Sequence, residues 1–164
     1  MAAQYVLDAN VFIEASRRYY AFDLIPAFWQ TLVDNADSGR LCSIDRVKQE
    51  LMRGNDDLAE WAHKIFHNWF LSTDEADTVE AYRRIVTWVQ QQNQFLPAAK
   101  ADFASCADGW LVAYAIANGC IVVTHEQYKS DAKKSIPIPN ICRAFGIQAI
   151  DTFAMLRALG AKLG

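Results

Sequence analysis

The chain opens with a short apolar run, Tyr5-Val6-Leu7, that stops at Asp8 and Asn10 and resumes at Val11-Phe12-Ile13. Nothing in the first run alternates, which predicts a strand buried on both faces with Asp8 at its carboxyl end. Helical spacing follows. Val11 to Tyr20 predicts a helix with Asn10 as N-cap and Arg17-Arg18 near its end. Pro26 to Asp37 predicts a second, carrying Phe28, Trp29, Leu32 and Val33 on one side and closed by Gly39. Leu41 to Ile44 is a short strand that leads directly into a helix from Asp45 to Arg53. Connections of this length require parallel strands.

Beyond Arg53, Gly54-Asn55-Asp56-Asp57 has turn chemistry, and Asp56 or Asp57 caps a helix expected over Leu58 to Phe70. Ser72 to Glu75 opens a longer helix whose Val79, Tyr82, Ile85, Val86 and Val89 recur at helical spacing. Phe95 to Ala107, with Pro97, reads as irregular. Asp108 to Asn118 is a helix that Gly119 closes, and Cys120 to Thr124 is the strongest strand signal, unalternating and therefore central. His125 to Ile141, with Pro137 and Pro139, reads as a loop. Ile147 to Ile150 and Thr152 to Leu159 supply a last strand and a closing helix. With no repeat and no linker, the expectation is one α/β domain over residues 1–164.

Composition narrows the class. Of 164 residues, 52% are hydrophobic and 21% charged, which fits a globular chain with a sizeable core rather than a disordered one. No apolar run is long enough to span a membrane, and no basic stretch followed by a long apolar region opens the chain. Cys42, Cys106, Cys120 and Cys142 are scattered without a CxxC pair, which fits buried thiols in a reducing compartment. A cytoplasmic protein is the expectation. The net charge of −3 counts against indiscriminate nucleic-acid coating, since phosphate neutralisation supplies most of that affinity. It does not count against a nuclease whose acids are balanced by a bound cation.

Four acids stand at comparable edges: Asp8 and Glu126 after strands, Asp108 opening a helix, Glu50 on a helix beside Val47 and Leu51. Two carboxylates about 4 Å apart repel by roughly 4 kcal/mol even at an effective dielectric near 20. Four share a cavity only when a cation neutralises them or some are protonated. Oxygen-only ligation selects the hard ions Mg²⁺ or Mn²⁺ rather than zinc.

The segments Tyr5 to Asn10, Val47 to Leu51, Ala107 to Val112 and Val122 to Glu126 resemble, in order and spacing, the acidic motifs of the PIN-domain family. The resemblance covers nearly the whole chain. It implies a three-layer α/β/α sandwich around a parallel sheet of four to five strands. It also implies a Mg²⁺- or Mn²⁺-dependent endoribonuclease that hydrolyses RNA phosphodiester bonds, of the kind that serves as a VapC-type toxin neutralised by an antitoxin protein, and a tendency to dimerise. Asp8, Glu50 and Asp108 are the implied metal ligands and catalytic acids. The family commonly has Asp where this chain has Glu126, one methylene longer, in a Thr-His-Glu form; Asp131 is the alternative in the same loop. Asn10, Thr124, His125 and Lys129 are candidate substrate-binding residues, and Lys133 and Lys134 further candidates for phosphate contact.

Two rival readings follow from the same residues. A phosphatase of the haloacid-dehalogenase type also starts with an apolar strand ending in Asp, but needs a second acid two residues later, where this chain has Asn10. A catalytically weakened PIN-like module that binds RNA or a protein partner would tolerate both the net acidity and Glu126.

Overall fold

The computed structural model describes residues 3–163. Five strands, β1 (Tyr5–Leu7), β2 (Leu41–Ile44), β3 (Phe70–Leu71), β4 (Ile121–Val123) and β5 (Ala149–Ile150), form one sheet in the order β3-β2-β1-β4-β5. Every pairing is parallel, with Tyr5 opposite both Leu41 and Ile121, and Leu7 opposite Val123. The central strands are wholly apolar because helices cover both faces.

The helices are α1 (Ala9–Glu14, continued by a π-helical turn at Ala15–Tyr19), α2 (Pro26–Asp37), α3 (Asp45–Met52), α4 (Asp57–Lys64), α5 (Ala76–Gln91), α6 (Pro97–Ala104), α7 (Asp108–Asn118), α8 (Ile138–Ala144) and α9 (Thr152–Ala158). From β1 the chain steps outward to β2 and β3, then returns past β1 to β4 and β5. Right-handed crossovers therefore place α1 to α4 on one face and α5 to α8 on the other. Accordingly α7 packs on β1, β2 and β4, with α5 and α8 against its sides. The result is the three-layer α/β/α arrangement expected from the resemblance.

The α1–α4 face is closed by aromatic rings. Trp61 stacks on Phe66 at 4.9 Å, meets Trp29 edge-on at 4.8 Å and leans on Phe12 at 5.9 Å. On the other face, α7 comes close to its neighbours only because residue 109 is glycine: a Cβ there would lie 2.7 Å from Phe103 Cζ and 3.0 Å from Tyr82 Cε1. Gly119, at φ 69°, turns the chain out of α7 into β4. Among the described residues, no helix is long and apolar enough to cross a membrane.

Several boundaries differ from the sequence expectation. The first helix begins at Ala9, so the N-cap position falls on Asp8, which makes no side-chain capping bond, and Asn10 is an exposed residue of the first turn. The helix expected over Leu58 to Phe70 stops at Lys64, because Phe66 turns into the core and Phe70-Leu71 pairs with β2 as an edge strand. Asp56 is its cap, accepting from the Ala59 amide at 3.0 Å. The segments read as irregular around Pro97 and as loop around Pro137 and Pro139 contain α6 and α8. In each, proline occupies the first turn, where its missing N–H costs nothing.

Candidate functional site

The strand order reverses between β1 and β4, and such a switch point leaves a crevice outside the carboxyl ends of the strands. Asp8 follows β1 into that crevice and Thr124 to Glu126 follow β4. Asp108 arrives because α7 begins at this edge and runs antiparallel to the strands, away from it, toward the start of β4. Glu50 arrives from α3, which leaves the same edge after β2. Four segments far apart in sequence thus deliver their acids to one place.

The local bonding is specific. Asp8 is 3% exposed, and its Oδ2 accepts from the Thr124 hydroxyl at 2.9 Å. The same Thr124 oxygen accepts from the Glu126 amide at 3.1 Å, so one threonine fixes both the carboxylate on β1 and the turn after β4. Glu50 Oε1 accepts from the Ala107 amide at 3.1 Å, tying α3 to the start of α7 across the sheet edge. Glu126 Oε2 accepts from the Ile138 amide at 3.2 Å. The longer side chain therefore spans from the β4 edge to the first turn of α8, a reach that an aspartate at this position would lack.

These acids are poorly neutralised by the protein itself. Burial pushes Asp8 well above the ordinary carboxylate range, and the nearby charges of Asp108 and Glu126 push in the same direction against the Thr124 bond. Burial, then Glu126 and Glu50, raise Asp108 to about 7. Burial also raises Glu126, offset in part by the Ile138 amide and the Lys129 charge. The Cys106 thiol, pushed up to about 12 mainly by burial, remains neutral beside them. The donors are all oxygen, which fits a hard divalent cation rather than zinc. Among the described residues, no three His, Cys, Asp or Glu side chains stand close enough together to hold a metal ion as placed. The carboxylates converge without closing into a cage.

The remaining candidates divide. Lys129 is exposed, holds Asn140 through its own backbone, and contributes positive charge toward Glu126. Lys134 lines a cavity of about 180 Å³ together with Asp108, Glu126 and Cys106, while Lys133 is exposed. His125 turns elsewhere: its Nε2 is 2.9 Å from the Thr152 hydroxyl, and Tyr19 and Phe153 flank its ring at 6.4 and 6.5 Å. Asn10 and Asp131 are both exposed, and it is Glu126 that couples to Asp8 and Asp108.

Arg46 was not singled out in the sequence. It lies over the Trp110 ring, 3.9 Å from the centroid, on the cavity wall that also carries Glu50. Its spacing of four residues from Glu50 on one helix was the available signal.

The chain belongs to the family described as "Domain of unknown function (DUF4411)", whose model matches residues 5–163. No curated protein matches it. Among solved structures it is similar to a chain of VapBC2 from Rickettsia felis bound to a DNA fragment from their promoter. The two share 15% sequence identity at a TM-score of 0.54, over 90% of this chain and 97% of that one. At that identity the likeness establishes a common fold, the PIN-like α/β architecture.

Proposed function

For this member of the DUF4411 family we propose a Mg²⁺- or Mn²⁺-dependent endoribonuclease that hydrolyses RNA phosphodiester bonds and acts as the toxin of a type II toxin–antitoxin pair in the cytoplasm. The observation that carries it is the convergence of Asp8, Asp108 and Glu126, with Glu50 beside them, at the switch point of the sheet, where their mutual repulsion awaits a cation. The PIN-like fold shared with a VapBC2 chain supports the choice of reaction and of an antitoxin partner.

Asp8, Glu50, Asp108 and Glu126 would hold the metal, which when bound activates a water and offsets the charge that builds on the phosphate. Thr124 keeps Asp8 and the Glu126 backbone in fixed relation, so the two strand-end ligands move as a unit. Lys134 and Lys129 stand where an incoming phosphodiester needs positive charge.

A second reading, a weakened PIN-like module that binds RNA or a protein, draws on one observation: the acids are not grouped closely enough to hold a metal as placed. Incubation of an RNA pool with Mn²⁺ and either wild-type protein or the folded Asp8→Asn and Asp108→Asn variants separates the two. Cleavage by wild type alone supports the nuclease. Equal cleavage by all three, or RNA binding with no cleavage, rejects it as assigned to these residues.

A further inference from the structure

On the far side of Glu50 lies a guanidinium that the hydrolytic chemistry above does not use. Arg46 on α3 stands four residues before Glu50, and Arg53, the helical C-cap residue of α3, three after it, so all three share one face. Arg46 is held from two directions. Its Cζ sits 3.9 Å above Trp110, whose ring is itself stacked on Tyr82 at 3.8 Å and 5°. Its Nε donates to the Thr73 hydroxyl at 3.1 Å. Thr73 is fully buried, and Asp45 anchors it by accepting from both its hydroxyl (2.9 Å) and its amide (3.2 Å).

This is an unusual amount of orientation for an arginine with no carboxylate of its own. The ion pairs among the described residues are Arg18–Glu14, Lys64–Glu60 and Arg83–Glu80, and neither Arg46 nor Arg53 takes part in one. Asp45 accepts directly from the Arg46 backbone amide at 2.8 Å but reaches its guanidinium only through Thr73, which leaves the terminal guanidinium nitrogens uncommitted among the described residues. Arg46, Gln49, Arg53, Ser105 and Trp110 line a cavity of about 60 Å³, in which Glu50 is the one acid. One Glu50 oxygen is already occupied by the Ala107 amide. That volume has room for a few waters, or the tetrahedral head of one anion in their place.

We propose that this cavity is a subsite for a non-scissile phosphate of the RNA, bound by Arg46 with Arg53 at its rim, and that Trp110 and Thr73 are positioning residues for Arg46. The inference rests on the ribonuclease reading. A planar, pre-oriented guanidinium suits the paired oxygens of a phosphate. Glu50 belongs to both the acidic cluster and this cavity, so a ligand must present anions at short, regular intervals to fill both places, as a polynucleotide backbone does. Lys129 and Lys134 flank the acids at the β4 end and Arg46 and Arg53 at the α3 end, giving the strand a cationic contact on either side of the scissile bond.

The test is fluorescence anisotropy of a labelled RNA oligonucleotide, with Ca²⁺ replacing Mn²⁺ to suppress cleavage, repeated across a salt series, alongside Mn²⁺ cleavage by the same proteins. Arg46→Gln is expected to weaken binding about tenfold and to reduce the slope of log affinity against log salt by about 0.7, the value for one phosphate contact on a single strand. Arg46→Lys and Trp110→Leu keep the charge, so both should retain the slope while losing affinity. Arg53→Gln, on the exposed rim, gives a smaller loss and serves if Arg46→Gln does not fold. Wild-type affinity and slope in Arg46→Gln and Arg53→Gln, in a protein that cleaves RNA, would overturn the subsite and leave the nuclease standing. If the Arg46→Gln variant instead kept RNA binding but lost a co-purifying protein, the cavity would belong to that partner's carboxylate and the proposal would fall. A wild-type protein that neither binds nor cleaves RNA would remove both.

Discussion

The two halves of the molecule treat their buried side chains in opposite ways. On the α1–α4 face, Phe12, Trp29, Trp61 and Phe66 meet ring against ring, and each apolar surface is covered by another. At the carboxyl edge of the same sheet, Asp8 is as deeply buried as those rings, yet only the Thr124 hydroxyl and the Ala9 amide meet its side chain and two further acids oppose its charge. A folded chain retains such an edge when something outside the chain completes it. The aromatic face contributes stability; the acidic edge costs stability, a cost that the proposed metal site would account for.

Substitutions on the two sides should therefore separate stability from activity. Phe66→Ala, at a fully buried position, should lower unfolding free energy by about 3–5 kcal/mol, read by denaturant unfolding. Asp8→Asn should do the reverse: RNA cleavage lost by more than about 100-fold, with the melting temperature unchanged or raised because a buried charge is gone. Thr124→Val, which removes the bond to Asp8 and the support of the Glu126 amide, should weaken Mn²⁺ binding by about 10–100-fold without abolishing it. Gly109→Ala tests the packing that seats Asp108: the added Cβ meets Phe103 and Tyr82 and should cost about 1–3 kcal/mol in the same unfolding assay.

A pH profile of metal-free protein sharpens the contrast further. Asp108 keeps its proton up to about 7 in the folded state, against an ordinary value of 3.8. The folded state therefore binds more protons at Asp108 than the unfolded one between these limits, so this group makes stability fall as pH rises from about 4 to about 7, and the raised Asp8 and Glu126 act in the same direction. Asp108→Asn should reduce that slope. Since the same proton competes with a cation, Mn²⁺ affinity in the wild type should rise as pH passes through about 7.

The acidic edge was more legible in the sequence than much of the fold around it. Asp8 and Glu126 follow the two least ambiguous strands, and Asp108 opens a helix with a plain glycine stop, so their meeting is a consequence of parallel topology. By contrast, Phe70-Leu71 is too short to carry a strand pattern and is defined only by its pairing with Ser43 and Ile44. The prolines at 97 and 137 read as breaks although Pro97 starts α6 and Pro137 precedes α8 as its N-cap. Fewest local cues announced the Arg46 network, because Asp45, Thr73, Tyr82 and Trp110 come from separate segments and bear no motif. Residues that carry charge at a strand end are visible in one dimension; residues that orient another side chain across layers are not.

Calorimetric titration of Mn²⁺ into metal-free wild-type protein and into Asp8→Asn, both verified as folded, tests the central claim most directly, because it needs no knowledge of the RNA. Saturable binding to the wild type that disappears in Asp8→Asn is the predicted result. Equal binding to both proteins, or none to the wild type even with an RNA oligonucleotide present, would contradict the assignment of these carboxylates to a metal.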